Sequence, residues 1–223
     1  MANKEKPRIK AVLFDMNGII IDDEHIHEMS FRETVKPYNI NLDHLTYLNC
    51  CAGRTDRAGY EEIASKFSTT LSIDDLLNQK SQMYLKLFPA NKRSYDGVIE
   101  LIHSLAKDFT LALTSSSSRN EVDLITKEFG INNEFKITIS GNDVIKGKPN
   151  PEPYLITAKK LGFSSKECVV IEDSRSGVIS AKTAGCYCIG VTTTHLRQDL
   201  DQADLVVENF SSINSQIIQE LAS

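Results

Sequence analysis

Two rhythms of apolar and polar positions alternate along this chain. Residues 9–14, 109–113, 136–139, 168–171, 187–191 and 204–207 are short, mostly apolar runs. Turn residues end the first of them, where Asp15 is followed by Asn17 and Gly18. Runs of this length predict strands buried on both faces, as in a parallel sheet. Between them apolar residues recur at helical spacing. Val98, Ile99, Leu101, Ile102 and Leu105 form one face, and Val122, Leu124, Ile125 and Phe129 a second. Tyr154, Leu155, Ala158 and Leu161 stop at Gly162, while Val178, Ile179, Ala181 and Ala184 stop at Gly185. Glycine just past the last apolar position is a helix-stop signal. Strands alternating with helices of this size predict an α/β fold, a parallel sheet with helices on both faces.

Residues 22–92 break the alternation. They offer helix-like stretches at 24–36, 42–51, 55–67 and 73–88, with no convincing strand among them. We expect an inserted all-α cap domain over residues 22–92, with the α/β core formed by residues 1–21 and 93–223. The cap is expected over the carboxyl edge of the sheet, hinged near Ile21-Asp22 and near Ala90-Asn91-Lys92.

Composition narrows the function. The chain has 223 residues and a formal net charge of -5. It shows no basic stripe of the kind that binds nucleic acid. Its apolar runs are far too short to span a bilayer, and its polar start lacks the apolar stretch of a secretory signal. The five cysteines include no Cys-x-x-Cys pair and no His at zinc spacing, so they read as buried reduced thiols in a cytoplasmic protein. A monomer or weak homodimer that binds a small molecule, and neither nucleic acid nor membrane, is the expectation.

In an open parallel sheet, ligands bind beyond the carboxyl ends of the strands. Asp15 follows the first strand, Thr114-Ser115-Ser116 the second, and Glu172-Asp173 the one beginning at Cys168; Lys148 follows the strand at 136–139 by a short loop. Singly, each has a plain structural reading. An Asp or Glu-Asp-Ser after a strand often caps a helix, and Thr-Ser-Ser or Lys-Pro often marks a turn. Their order is what carries weight.

That order resembles the haloacid dehalogenase-like hydrolases, and within them the β-phosphoglucomutase-like and phosphatase branch. The motifs are Asp15-Met-Asn17-Gly18, Thr114 at a strand end, Lys148-Pro-Asn-Pro, and Glu172-Asp173-Ser174 with Gly177 and Ala184-Gly185. The resemblance implies a Rossmann-like core and a Mg²⁺-dependent phosphatase acting on a small phosphorylated metabolite such as a sugar phosphate. Asp15 would be the nucleophile, forming an aspartyl-phosphate. Mg²⁺ would be held by Asp15, Asp173 and the backbone carbonyl of Asn17, with Glu172 a further ligand or a partner behind them. Thr114 would donate to a phosphoryl oxygen, aided by Ser115 and Ser116, and Lys148 would supply fixed positive charge.

One position departs from the pattern. The family's phosphatases and mutases carry an Asp where this chain has Asn17, and that Asp exchanges a proton with the leaving and attacking oxygens. An amide cannot, and such help is worth about 10² to 10⁴ in rate. The resemblance therefore implies a chain able to bind metal but turning over poorly. Conversion of the Asn17-Gly18 pair to an acid by deamidation would restore some activity. In the expected cap, His27 and Arg54 are candidate substrate contacts, as are Arg119 and Asn120 after the serine run. The plain readings are solvated first-turn histidines, a helix cap at Thr55 beside Arg54, and a helix start at Arg119. Two further readings stand beside the phosphatase, a phosphosugar mutase and a non-catalytic phosphometabolite-binding protein.

Overall fold

The four side chains of β1 (Ala11–Phe14) are all buried, as expected of a strand covered on both faces. The structure is a computed structural model and describes residues 8–51 and 55–222. After β1 come α1 (Glu24–Val35), α2 (His44–Cys50), α3 (Asp56–Lys66) and α4 (Ile73–Asn91). Strands and helices then alternate: α5 (Val98–Leu105), β2 (Thr110–Thr114), α6 (Arg119–Glu128), β3 (Phe135–Ile139), α7 (Glu152–Leu161), β4 (Cys168–Glu172), α8 (Arg175–Thr183) and β5 (Tyr187–Val191). The chain ends with β6 (Leu205–Val207) and α9 (Ser215–Glu220).

Among the described residues the six strands form one parallel sheet in the order β3-β2-β1-β4-β5-β6. The α/β expectation is borne out. Chain progression reverses between β1 and β4, and such a switch point opens a crevice at the strands' carboxyl ends. Phe14 pairs with Leu113 on one side and Ile171 on the other, so the residues just after β1, β2 and β4 arrive side by side.

Contacts divide the chain into one unit of residues 1–22 and 94–223 and a second of Asp23–Arg93. In the first, alternate side chains of β1 and β4 (Ala11, Leu13, Cys168, Val170) pack with Tyr154 and Ala158 of α7 and Val178 and Ala181 of α8. Full burial of side chains this size contributes roughly 1.5–3 kcal/mol for each larger one. The second unit is helical and has its own core around Phe31, Tyr47, Tyr60, Ile63 and Leu76. Two of its helices begin at side-chain caps: Asp43 accepts from Thr46 N at 2.8 Å and Thr55 from Ala58 N at 3.3 Å. The Asp43 cap explains why α2 starts later than the apolar pattern at 42–51 suggests. Conversely, α4 runs beyond Phe88, with Pro89 in its last turn. All five cysteines are buried and free. No helix among the described residues is long and apolar enough to cross a membrane.

Candidate active site

Asp15, at the end of β1, lies in the crevice beside β4, its backbone N–H donating to Ile171 O at 3.0 Å. Lys148 reaches it from the loop after β3. Its ammonium donates to Asp15 Oδ1 at 2.6 Å, to Glu172 Oε1 at 2.7 Å and to the Thr114 carbonyl at 3.3 Å. The lysine side chain is only 6% exposed. Burial opposes its charge, but Asp15 and Glu172 hold its pKa above the ordinary lysine value.

Glu172 is the most occupied of the acidic groups. Oε1 also accepts from Tyr154 OH at 2.9 Å, while Oε2 accepts from Asp173 N, Ser174 N and Ser174 Oγ, each at 3.0 Å. Burial alone would raise its pKa, yet the Lys148 charge and these donors hold it below the usual carboxylate range. Gly177, in the first turn of α8, leaves room for it: a Cβ there would sit 1.7 Å from Glu172 Oε1. With both oxygens engaged, Glu172 positions Lys148 from behind and has little capacity left as a direct metal ligand.

Asp173 is different. Oδ2 accepts from Thr194 Oγ1, but Oδ1 is buried with no hydrogen-bond partner among the described residues. Burial, then the charges of Glu172 and Asp15, pushes its pKa well above the normal range. Burial likewise pushes Asp15 up to about 7 against the pull of Lys148. Ligand atoms of Asp15, Glu172 and Asp173 lie within 4.8 Å of one another. Two carboxyls that burial drives toward neutrality, one with an unpartnered oxygen, suit a hard divalent cation, which would supply both the charge and the missing partner. Gly18 completes the wall, with φ +80° and its Cα so near Asp173 that a Cβ would sit 2.1 Å from Oδ2.

The Thr114 expectation needs correction. Thr114 is fully buried and its hydroxyl lies 2.8 Å from Thr157 Oγ1 of α7, so only its carbonyl turns to Lys148. Successive residues of a strand face opposite ways, and the hydroxyl facing the loop after β1 belongs to Ser115. Ser115 Oγ donates to Asn17 Oδ1 at 3.4 Å and Ser117 Oγ does so at 2.8 Å. Ser116 and Asn120 are exposed. Arg119 is also corrected. It is committed within the fold, to Thr138 Oγ1 at 2.6 Å, Thr138 O at 3.0 Å and Asp143 Oδ2 at 2.5 Å. Its helix opens on a capping box between Ser118 and Glu121, so the plain reading of Arg119 as a helix start is the one the geometry supports.

Within the helical unit His27 is not a solvated first-turn residue. Its Nδ1 lies 2.7 Å from Lys80 Nζ and its Nε2 3.2 Å from Asp23 Oδ2. Lys80, 2% exposed, also donates to Asp56 Oδ2 at 2.8 Å, and Tyr84 OH donates to Asp23 Oδ2 at 2.6 Å. Sequence reasoning missed Lys80, although Leu76, Lys80, Tyr84 and Phe88 form a buried stripe at four-residue spacing, and a lysine in such a stripe is itself a signal. Ser117, Thr193 and Thr194 were missed as well; the threonines follow β5 as Asp15 follows β1. Arg54 lies outside the described residues.

Comparison with known proteins gives a family. The haloacid dehalogenase-like hydrolase profile matches residues 12–191, as the motif resemblance implied. Validoxylamine A 7'-phosphate phosphatase of Streptomyces hygroscopicus subsp. limoneus is 27% identical, over 92% of this chain and 95% of that protein. The β-phosphoglucomutase of Bacillus subtilis is also 27% identical, over 95% of each. A solved HAD hydrolase of Entamoeba histolytica superposes with a TM-score of 0.82 at 28% identity, covering 96% of this chain and 99% of that one.

Proposed function

The chain belongs to the haloacid dehalogenase-like hydrolases, and we propose that it is a magnesium-dependent phosphomonoester hydrolase working through an aspartyl-phosphate on Asp15. Its substrate in this reading is a small phosphorylated metabolite, a sugar phosphate first of all, in keeping with similarity to a phosphatase and a β-phosphoglucomutase. One observation carries the reading: buried Asp15 and Asp173 meet at the switch point, with an unpartnered Asp173 oxygen and the Lys148 ammonium against Asp15.

Asp15 attacks phosphorus as the ester P–O bond breaks, and water then releases phosphate from the aspartyl group. When bound, Mg²⁺ offsets the repulsion between the Asp15 carboxylate and the phosphoryl anion; Asp15, Asp173 and the backbone carbonyl of Asn17 would hold it. Lys148 steadies the carboxylate and faces the charge on the equatorial oxygens. Ser115 takes the hydrogen-bonding role expected of Thr114. Asn17 has no proton to exchange, so the leaving alkoxide and the attacking water go unassisted and turnover is poor. We assign substrate choice to the helical insert, expected at residues 22–92, and a cytoplasmic setting to a chain whose thiols are all buried and free.

A panel of phosphomonoesters, assayed for phosphate release with Mg²⁺ and with EDTA, tests this. Slow release that disappears in EDTA is expected. No metal-dependent release from any ester, by this chain or by its Asn17→Asp variant, would contradict it. Sugar-phosphate isomerisation exceeding phosphate release would favour the mutase reading, which rests on the similarity to β-phosphoglucomutase.

A further inference from the structure

The loop after β5 belongs to none of the four motifs, yet it ties together the two segments that bear the acidic groups. Thr193 Oγ1 donates to the Gly18 carbonyl at 2.5 Å, and its neighbour Thr194 donates to Asp173 Oδ2. Thr194 Oγ1 is in turn 2.8 Å from His195 Nδ1. A hydroxyl has one hydrogen, and Thr194 spends it on the carboxylate. With that hydrogen on Asp173, Thr194 Oγ1 is left to accept from the imidazole.

We propose that Thr194 is a positioning residue that offers the cation a single oxygen of Asp173, and so makes the site prefer Mg²⁺ to Ca²⁺. The inference rests on the Mg²⁺ reading of the site. Oδ2 is enclosed by the Thr194 hydroxyl on one side and by the Gly18 backbone on another, where even a Cβ would sit 2.1 Å away. Oδ1 is left buried and without a hydrogen-bond partner. A carboxylate restrained in this way binds through one oxygen. Mg²⁺ demands near-octahedral geometry with short bonds, whereas Ca²⁺ accepts six to eight ligands and takes carboxylates through both oxygens. Thr194 thus suits the smaller ion and withholds from the larger the second oxygen it would use.

Thr194→Val keeps the side-chain shape and removes the donor, whereas Thr194→Ser keeps the donor. Calorimetric titration of the whole chain with MgCl₂ and with CaCl₂ gives the ratio of the two affinities. Mg²⁺ affinity of the Val variant should fall about 10- to 100-fold, the usual effect of removing a hydrogen bond to a metal ligand. Ca²⁺ affinity should fall much less, so the Mg²⁺ preference shrinks by about tenfold or more. The Ser variant should keep the parent ratio. A parent-like ratio in the Val variant, or a Ser variant resembling Val, overturns the proposal. Failure of the parent itself to bind Mg²⁺ overturns the underlying reading instead. Metal-free melting curves identify a variant that does not fold, in which case Thr194→Ala carries the same comparison.

Discussion

Replacing Asn17 by Asp should raise Mg²⁺-dependent phosphate release from alkyl phosphates by about 10² to 10⁴-fold, the usual worth of general acid–base help. The side-chain oxygen at this position already accepts from Ser117 Oγ at 2.8 Å and Ser115 Oγ at 3.4 Å. A carboxylate accepts the same two hydroxyls, so the replacement should keep its place and add a group that can take up and return a proton. The gain should depend on the leaving group. An alkoxide departs badly without a proton, whereas a nitrophenolate needs none, so the variant and parent should differ most on sugar phosphates and least on an aryl phosphate. Equal turnover of sugar phosphates by the two chains would contradict the role given to position 17. Mass spectrometry of the Asn17-Gly18 peptide guards the comparison, because deamidated parent would mimic the variant.

Lys148→Met should destabilise the protein by about 3–5 kcal/mol and abolish phosphate release, since removing one partner strands buried charge. Among the described residues the ammonium is the one cation bonded to Glu172, which is fully buried, and it also holds Asp15. In the parent, the folded-state pKa of Glu172 is lowered. Such a group contributes stability above its unfolded pKa, and that contribution disappears as pH falls through the folded value. Without Lys148, burial prevails and the folded pKa rises, so ionising Glu172 then disfavours the fold. The deficit of the variant should therefore be largest near neutral pH and shrink as pH falls toward about 4, where the variant's carboxyl becomes protonated whether folded or unfolded. Urea melts in EDTA at several pH values measure this. A loss below about 1 kcal/mol at neutral pH would mean that Lys148 and Glu172 do not form a buried ion pair.

The strands were legible because burial on both faces makes each a near-continuous apolar run, and the helices because their stripes keep a 3.6-residue period. The same double burial hid the phase of β2. A strand with one wet face alternates visibly, but residues 111–115 are buried whichever way they point, so nothing in the sequence says whether Thr114 or Ser115 turns toward the site. Asp15, Lys148 and Asp173, singled out by strand-end position and by the motif resemblance, lie together because the sheet brings those strand ends to one switch point. Arg119 misled because its partners, Thr138 and Asp143, come from the end of β3 and the turn beyond it. Lys80 and Thr194 escaped for a similar reason. The partners that bury Lys80 come from α1 and α3, and the contact of Thr194 with Asp173 spans 21 residues between neighbouring strand ends.

The central claim is that Asp15 receives the phosphoryl group, and chemical trapping addresses it directly. This chain, mixed with Mg²⁺ and p-nitrophenyl phosphate, is acid-quenched and treated with borohydride, which reduces an acyl phosphate to the alcohol. Peptide mapping should then show homoserine at position 15, in an amount that rises with the donor and vanishes in EDTA. Nitrophenol release with Asp15 unmodified, or with the reduced residue at any other carboxyl, would contradict the account.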